Sequence, residues 1–149
     1  MRSYNNIMKI RNGFVSNSSS SSFIIGSNTN LRDTLSDNWS DFFPASDKRT
    51  KEFLENICNF AIWDILSEDD YTWTSWQSFL DHVKNNWCGT LSQTEIDFYK
   101  PYFDTWKYVH YISIPSNGDG GTSLTNALRD TFPRKFNNNN CEIAIVSEG

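Results

Sequence analysis

Paired cysteines, zinc-ligand spacings and membrane-length apolar runs are all missing from this chain of 149 residues. Cys58, Cys88 and Cys141 are odd in number and widely spaced, with no CxxC and no neighbouring histidine pair. That argues against a disulfide framework and a zinc site, and for reduced thiols in a cytosolic compartment. No apolar run approaches the roughly 18 residues a membrane helix needs, and the start lacks the hydrophobic stretch of a signal peptide. Histidine is scarce, with only His82 and His110 available for proton transfer near neutral pH. Basic charge thins out after the N-terminus. Residues 1–30 carry Arg2, Lys9 and Arg11 and no acid, whereas residues 31–106 hold 14 Asp and Glu against 6 Lys and Arg. A net charge of −5 repels phosphate backbones over a Debye length of about 8 Å, which disfavours broad nucleic-acid binding and leaves open a basic N-terminal patch.

What the chain has in quantity is aromatic surface: 6 Trp, 6 Tyr and 11 Phe, 15% of all residues. Each buries roughly 150 to 250 Å², enough to close one core, so residues 1–149 read as a single domain. Its expected parts are an arm at 1–12, a helical insertion at 31–106, and a sheet with a short helix in the remainder. "SSSFIIG", ending at Gly26, is β-branched and aromatic and reads as a strand. A short helix is expected around Leu31 to Leu35, and a longer one from an N-cap at Ser46 to about Leu66, where Leu54, Ile57, Cys58, Ala61 and Ile65 recur at the helical period. Ser67 to Asp70 form a polar loop. Trp76, Phe79, Leu80, Val83 and Trp87 then make the cleanest amphipathic helix, with Gly89 expected just past its end. "SQTE" from Ser92 has capping-box spacing, and Pro101 is expected to stop or kink that helix. From Lys107 the period falls to 2 and "KYVHYISIP" reads as a strand. A glycine-rich turn, a helix at about Thr122 to Phe132 and a strand in "CEIAIVSEG" follow, and "NNNN" at Asn137 to Asn140 carries little weight. The expected fold is α+β: a small mixed sheet of about three strands, near 20–26, 107–114 and 140–147, packed against an aromatic-rich helical insertion.

Catalytic chemistry finds little support. The turn holding Asn117, Gly118, Asp119 and Gly120 could present free amides to an anion, but it lacks the GK[ST] of a P-loop and carries a central acid, so an ordinary turn is the better reading. Glu68, Asp69 and Asp70 read as a solvated loop in preference to a cation site. His82, beside Asp81, reads as a surface residue, and His110 as a core or rim histidine with a hydrogen-bond partner. Asp81, His82 and Cys88 do not converge as a nucleophile, base and acid would have to. Neither a metal nor a cofactor is implied. Trp39, Phe42, Phe43 and Trp73 fit no clear periodic stripe and lie among acids, the composition of a partner-binding surface.

"MKIRNGFVSNSSSSSFII", Met8 to Ile25, resembles the N-terminal motif of a family of small proteins of unassigned activity encoded by tailed bacteriophages and related prophages. Gly13, Phe14, Ser16, Asn17, the serines to Ser22, and Phe23 carry the resemblance in register, and family members typically begin at the equivalent of Met8. "YISIPSNGDGG" is more loosely similar, and the family's terminal Ser-His-His is here Ser147, Glu148 and Gly149. The resemblance implies a phage origin, with an infected bacterial cytoplasm or a virion as the setting; the family carries no established enzymatic role. Two readings of the serine run stay open. Ser18 to Ser22 either lead into a central strand between those at Tyr108 and Cys141, with hydroxyls bonded locally, or Arg11, Gly13, Ser16, Asn17, Ser18, Ser19 and Ser20 build an anion or peptide-end pocket opposite the glycine-rich turn. The leading expectation is a non-enzymatic phage accessory protein that binds a host or phage protein and modulates a host or defence component. A minor virion component and a binder of a small anionic ligand or nucleotide are the alternatives.

Overall fold

The computed structural model describes residues 21–42, 52, 55–56, 71–87, 89–114, 129 and 132–148. The fold is α+β, built on a five-stranded sheet of order β2-β3-β1-β5-β4. Its strands are β1 (Ser21–Ser27), β2 (Tyr71–Trp73), β3 (Tyr108–Ile114), β4 (Lys135–Asn137) and β5 (Cys141–Glu148). Every pairing is antiparallel, so the sheet is not mixed, and it has two more strands than expected. β2 and β4 are only three residues long, too short for a period of 2 to register against the loops around them.

β1 lies between β3 and β5, as one reading of the serine run required. All seven of its residues are buried, because helices cover both faces of the sheet. Phe23 and Ile25 face one layer, where α1 (Leu31–Phe42) lays Leu31, Leu35, Trp39 and Phe42 against them. Asn30 starts this helix: its side-chain oxygen accepts from the Asp33 amide at 2.8 Å while its amide donates to the Asp33 carboxylate at 3.0 Å. The helix runs well past Leu35, and Trp39 and Phe42 complete its apolar stripe. Phe132 meets Phe23 edge-on at 4.7 Å between centroids and Phe42 at 5.7 Å, closing that core from the far side.

Ile24 faces the opposite layer, formed by α2 (Trp76–Asn86) and α3 (Gln93–Thr105). Phe79 is its hub, with Trp73, Trp76, Trp87, Tyr99 and Phe103 at centroid distances of 4.8, 5.6, 5.7, 5.0 and 5.2 Å. Ser75 caps α2 and Trp87 is its C-cap, so Gly89 sits one residue further out than expected. Ser92 and Glu95 form the predicted capping box on α3. Pro101 neither stops nor breaks that helix. It sits on the exposed side with Asp97, whose carbonyl it leaves without a helical donor, while buried Tyr99 and Tyr102 hold the helix to the sheet. On this face Gly26 must be glycine, since a Cβ there would overlap the Trp106 ring, which is fixed by a 3.0 Å bond from its Nε1 to Glu142 Oε1.

The segment expected to be a helical insertion therefore does more than insert. It supplies edge strand β2 and helices to both faces of the sheet. The helix expected from Ser46 to Leu66 and the one from Thr122 to Phe132 lie outside the described residues apart from isolated helical positions.

Candidate binding surfaces

The structure removes three members of the expected partner surface. Trp39, Phe42 and Trp73 are 2%, 6% and 6% exposed, and all three are core. Trp39 and Phe42 are one and two turns beyond Leu35 on the buried stripe of α1, and Trp73 ends a strand that the sequence did not signal. Phe43 lies outside the described residues, as do Arg11, Gly13, Ser16, Asn17, Ser18, Ser19, Ser20, Asn117, Gly118, Asp119 and Gly120. Cys58, Cys88 and the Glu68 to Asp70 cluster lie outside them too.

The register still says where the serine run leads. Ser22 stands opposite Ser113 on β3 and Ser147 on β5, so three serines lie in a row across the middle of the sheet. Between Ser22 and Phe23 the β1–β5 register shifts, with Val146 as the extra residue. Local hydroxyl bonding was expected here, yet the buried Ser22 and Ser147 hydroxyls have no partner among the described residues. Each costs about 1–3 kcal/mol of lost hydration.

His110, His82 and Cys141 are each taken up by packing or hydrogen bonds. His110 is fully buried, its Nε2 2.9 Å from Ser27 Oγ and its Nδ1 2.9 Å from Thr72 Oγ1. Ser27 donates its one hydroxyl proton to the Thr29 carbonyl at 2.8 Å, so Nε2–H donates to Ser27 and Thr72 donates to a bare Nδ1. This is the neutral imidazole, and burial lowers its pKa from 6.5 to about 4 against a smaller opposing pull from the Thr29 backbone. The expectation of a core histidine with a partner holds. His82 is different from expectation: it is half-buried, with Tyr71, Trp73 and Trp87 rings at 4.6, 5.2 and 5.4 Å, and burial lowers its pKa. Strand β2 brings two of those rings to it, which the helix period could not foretell. Cys141 is a buried free thiol pushed up to about 11, first by burial and then by Asp41. Such a thiol is a poor nucleophile near neutral pH.

Two concavities are lined by described residues. The first is an apolar groove of about 590 Å³ between α2 and the start of α3, lined by Leu80, Val83, Leu91 and Ile96 with Gln77, Asp81, Lys84 and Thr90 around them. Leu80 and Ile96 are half-buried yet belong to neither core cluster. Leu80, expected in the apolar stripe of α2, lines this groove instead. The second is a polar cavity of about 170 Å³ on the α1 side, lined by Asn28, Thr29, Asp37, Asn38 and Asn140. Its one sequence signal was the spacing of Asp33, Asp37 and Asp41, visible only once α1 is known to reach Phe42. No protein family, curated protein or solved structure matches this chain. Among the described residues, no helix is long and apolar enough to cross a membrane.

Proposed function

We propose that the chain acts without catalysis, as a phage accessory protein that binds a host or defence protein in the infected bacterial cytoplasm. The phage setting rests on the N-terminal motif. The binding role rests on one observation, the open groove between α2 and α3. Apolar side chains are normally drawn into a core, yet Leu80 and Ile96 pack into neither core and line a concavity instead. An amphipathic helix of a partner, laying its apolar stripe along α2 and α3, would remove that surface from water at roughly 25 cal/mol per Å². Asp81, Lys84 and Gln77 on the rim offer polar contacts that set register more than affinity. The acidic balance of residues 31–106 favours approach by a basic partner.

Affinity capture from host cells tests this with two chains, wild type and the double variant Leu80→Glu with Ile96→Glu. Wild type is expected to recover one stoichiometric host protein, and the variant to lose it at an unchanged melting temperature. Equal recovery by both would remove the groove from the argument. Presence of the chain in purified virions without a host partner would favour a virion role instead.

A further inference from the structure

We propose that the polar cavity beside α1 is a receptor for an arginine side chain of a basic protein segment, independent of the α2–α3 groove. Its walls are acceptor-rich: the Asp37 carboxylate, the amides of Asn28, Asn38 and Asn140, and Thr29. No cationic side chain is among the described residues that line it. Arg32, three residues from Thr29 in sequence, is not among them, and Lys107 gives its backbone N–H to Asn28 Oδ1 at 3.1 Å while its Nζ lies 5.5 Å over the Tyr108 ring.

Three carboxylates run along the exposed side of α1 at Asp33, Asp37 and Asp41. The outer two are engaged by asparagines, Asp33 by Asn30 at 3.0 Å and Asp41 by Asn138 at 3.1 Å. Asp37, the one that lines the cavity, has no hydrogen-bond or ion-pair partner among the described residues. Like charges at i, i+4 weaken a helix by about 0.2–0.5 kcal/mol per pair, so this row is held against local preference. The wall behind it is rigid. Asn38 is 2% exposed, donates to the Thr34 carbonyl at 2.7 Å and accepts from Asn138 at 3.0 Å, which leaves one amide proton and one lone pair for an incoming group.

That inventory suits a guanidinium: planar, permanently charged, with a fork of donors that meets one carboxylate edge-on and can spend its other protons on neutral oxygens. A calcium-like cation wants more than one carboxylate at its centre. The three acids span about 12 Å of helix, which matches a segment with several basic residues and exceeds a single free cation.

Titration of the full-length, ¹⁵N-labelled chain with a blocked triarginine peptide tests the assignment. Expected shifts fall on the side-chain amides of Asn28, Asn38 and Asn140. Asp37→Asn, an exposed near-isosteric change, should weaken binding about tenfold or more, and added salt should weaken it further. Leu80→Glu should leave it intact, which separates this site from the groove. Shifts spread over the whole acidic surface, equal binding by Asp37→Asn, or the same shifts from calcium at lower concentration would each overturn the proposal. Arginine amide binding as tightly as the peptide would overturn the choice of a protein segment.

Discussion

Among single side chains, His110 shows burial deciding a charge state. Its ring has one donor and one acceptor nitrogen, and Ser27 and Thr72 supply the complementary partners. Protonation would place a charge in a fully buried site. A base whose pKa falls from 6.5 to about 4 holds its proton less well folded than unfolded. Its neutral form therefore supports the fold fully above pH 6.5, and that support drains away as the pH falls toward 4, by on the order of 3 kcal/mol. Urea unfolding should show the wild-type midpoint dropping more than that of His110→Gln between about pH 7 and pH 4.5. Parallel loss in the two proteins would mean that carboxylates carry the acid sensitivity. The neutral, bonded role of His110 was readable from its place in an alternating run. Its partners were not, because Ser27 and Thr72 are 83 and 38 residues away.

Among elements, the legible features were those whose physics is local. The Ser92–Glu95 capping box closes within one turn, with bonds of 3.1 and 2.8 Å, and the sequence signature that announces it is the structure itself. The apolar period of Trp76 to Trp87 placed α2 for the same reason. Pro101 does not stop the helix, because buried Tyr99 and Tyr102 on either side hold it to the sheet against the local cost of the ring. Replacing Pro101 by Ala restores a donor to the Asp97 carbonyl and removes the ring clash. A gain of about 1 kcal/mol is expected, read as a melting temperature higher by about 2–4 °C. A drop would show that the proline ring itself contributes to the packing of α3. The hairpin between β4 and β5 is the counterpart case. Asn138 builds its turn by accepting from the Asn140 and Cys141 amides at 2.7 and 2.8 Å, so one residue of an apparently uninformative asparagine run is structural.

For the molecule as a whole, β1 is the keystone. It is bonded to strands on both edges and covered on both faces, with one core under α1 and the other under α2 and α3. Amides of Phe23, Ile24, Ile25 and Gly26 should therefore exchange with solvent only through global unfolding, while those of the three-residue edge strands β2 and β4 exchange orders of magnitude faster. Comparable protection across all five strands would contradict this hierarchy. The two proposed contact surfaces sit on opposite layers, the groove outside α2 and α3 and the polar cavity beside α1, so they can be lost independently by substitution.

Legible in the bare sequence were the α+β class, the three long strands, the amphipathic α2, the capped start of α3 and the buried character of His110. These follow from periods, caps and composition within a dozen residues. Tertiary structure alone decided that β2 and β4 join the sheet, that Trp39, Phe42 and Trp73 are core, that His82 meets three rings, and which apolar and acidic side chains line a concavity. Burial depends on what the rest of the chain places above a residue, and short edge strands take their form from the neighbour they pair with. Neither is written in a local pattern.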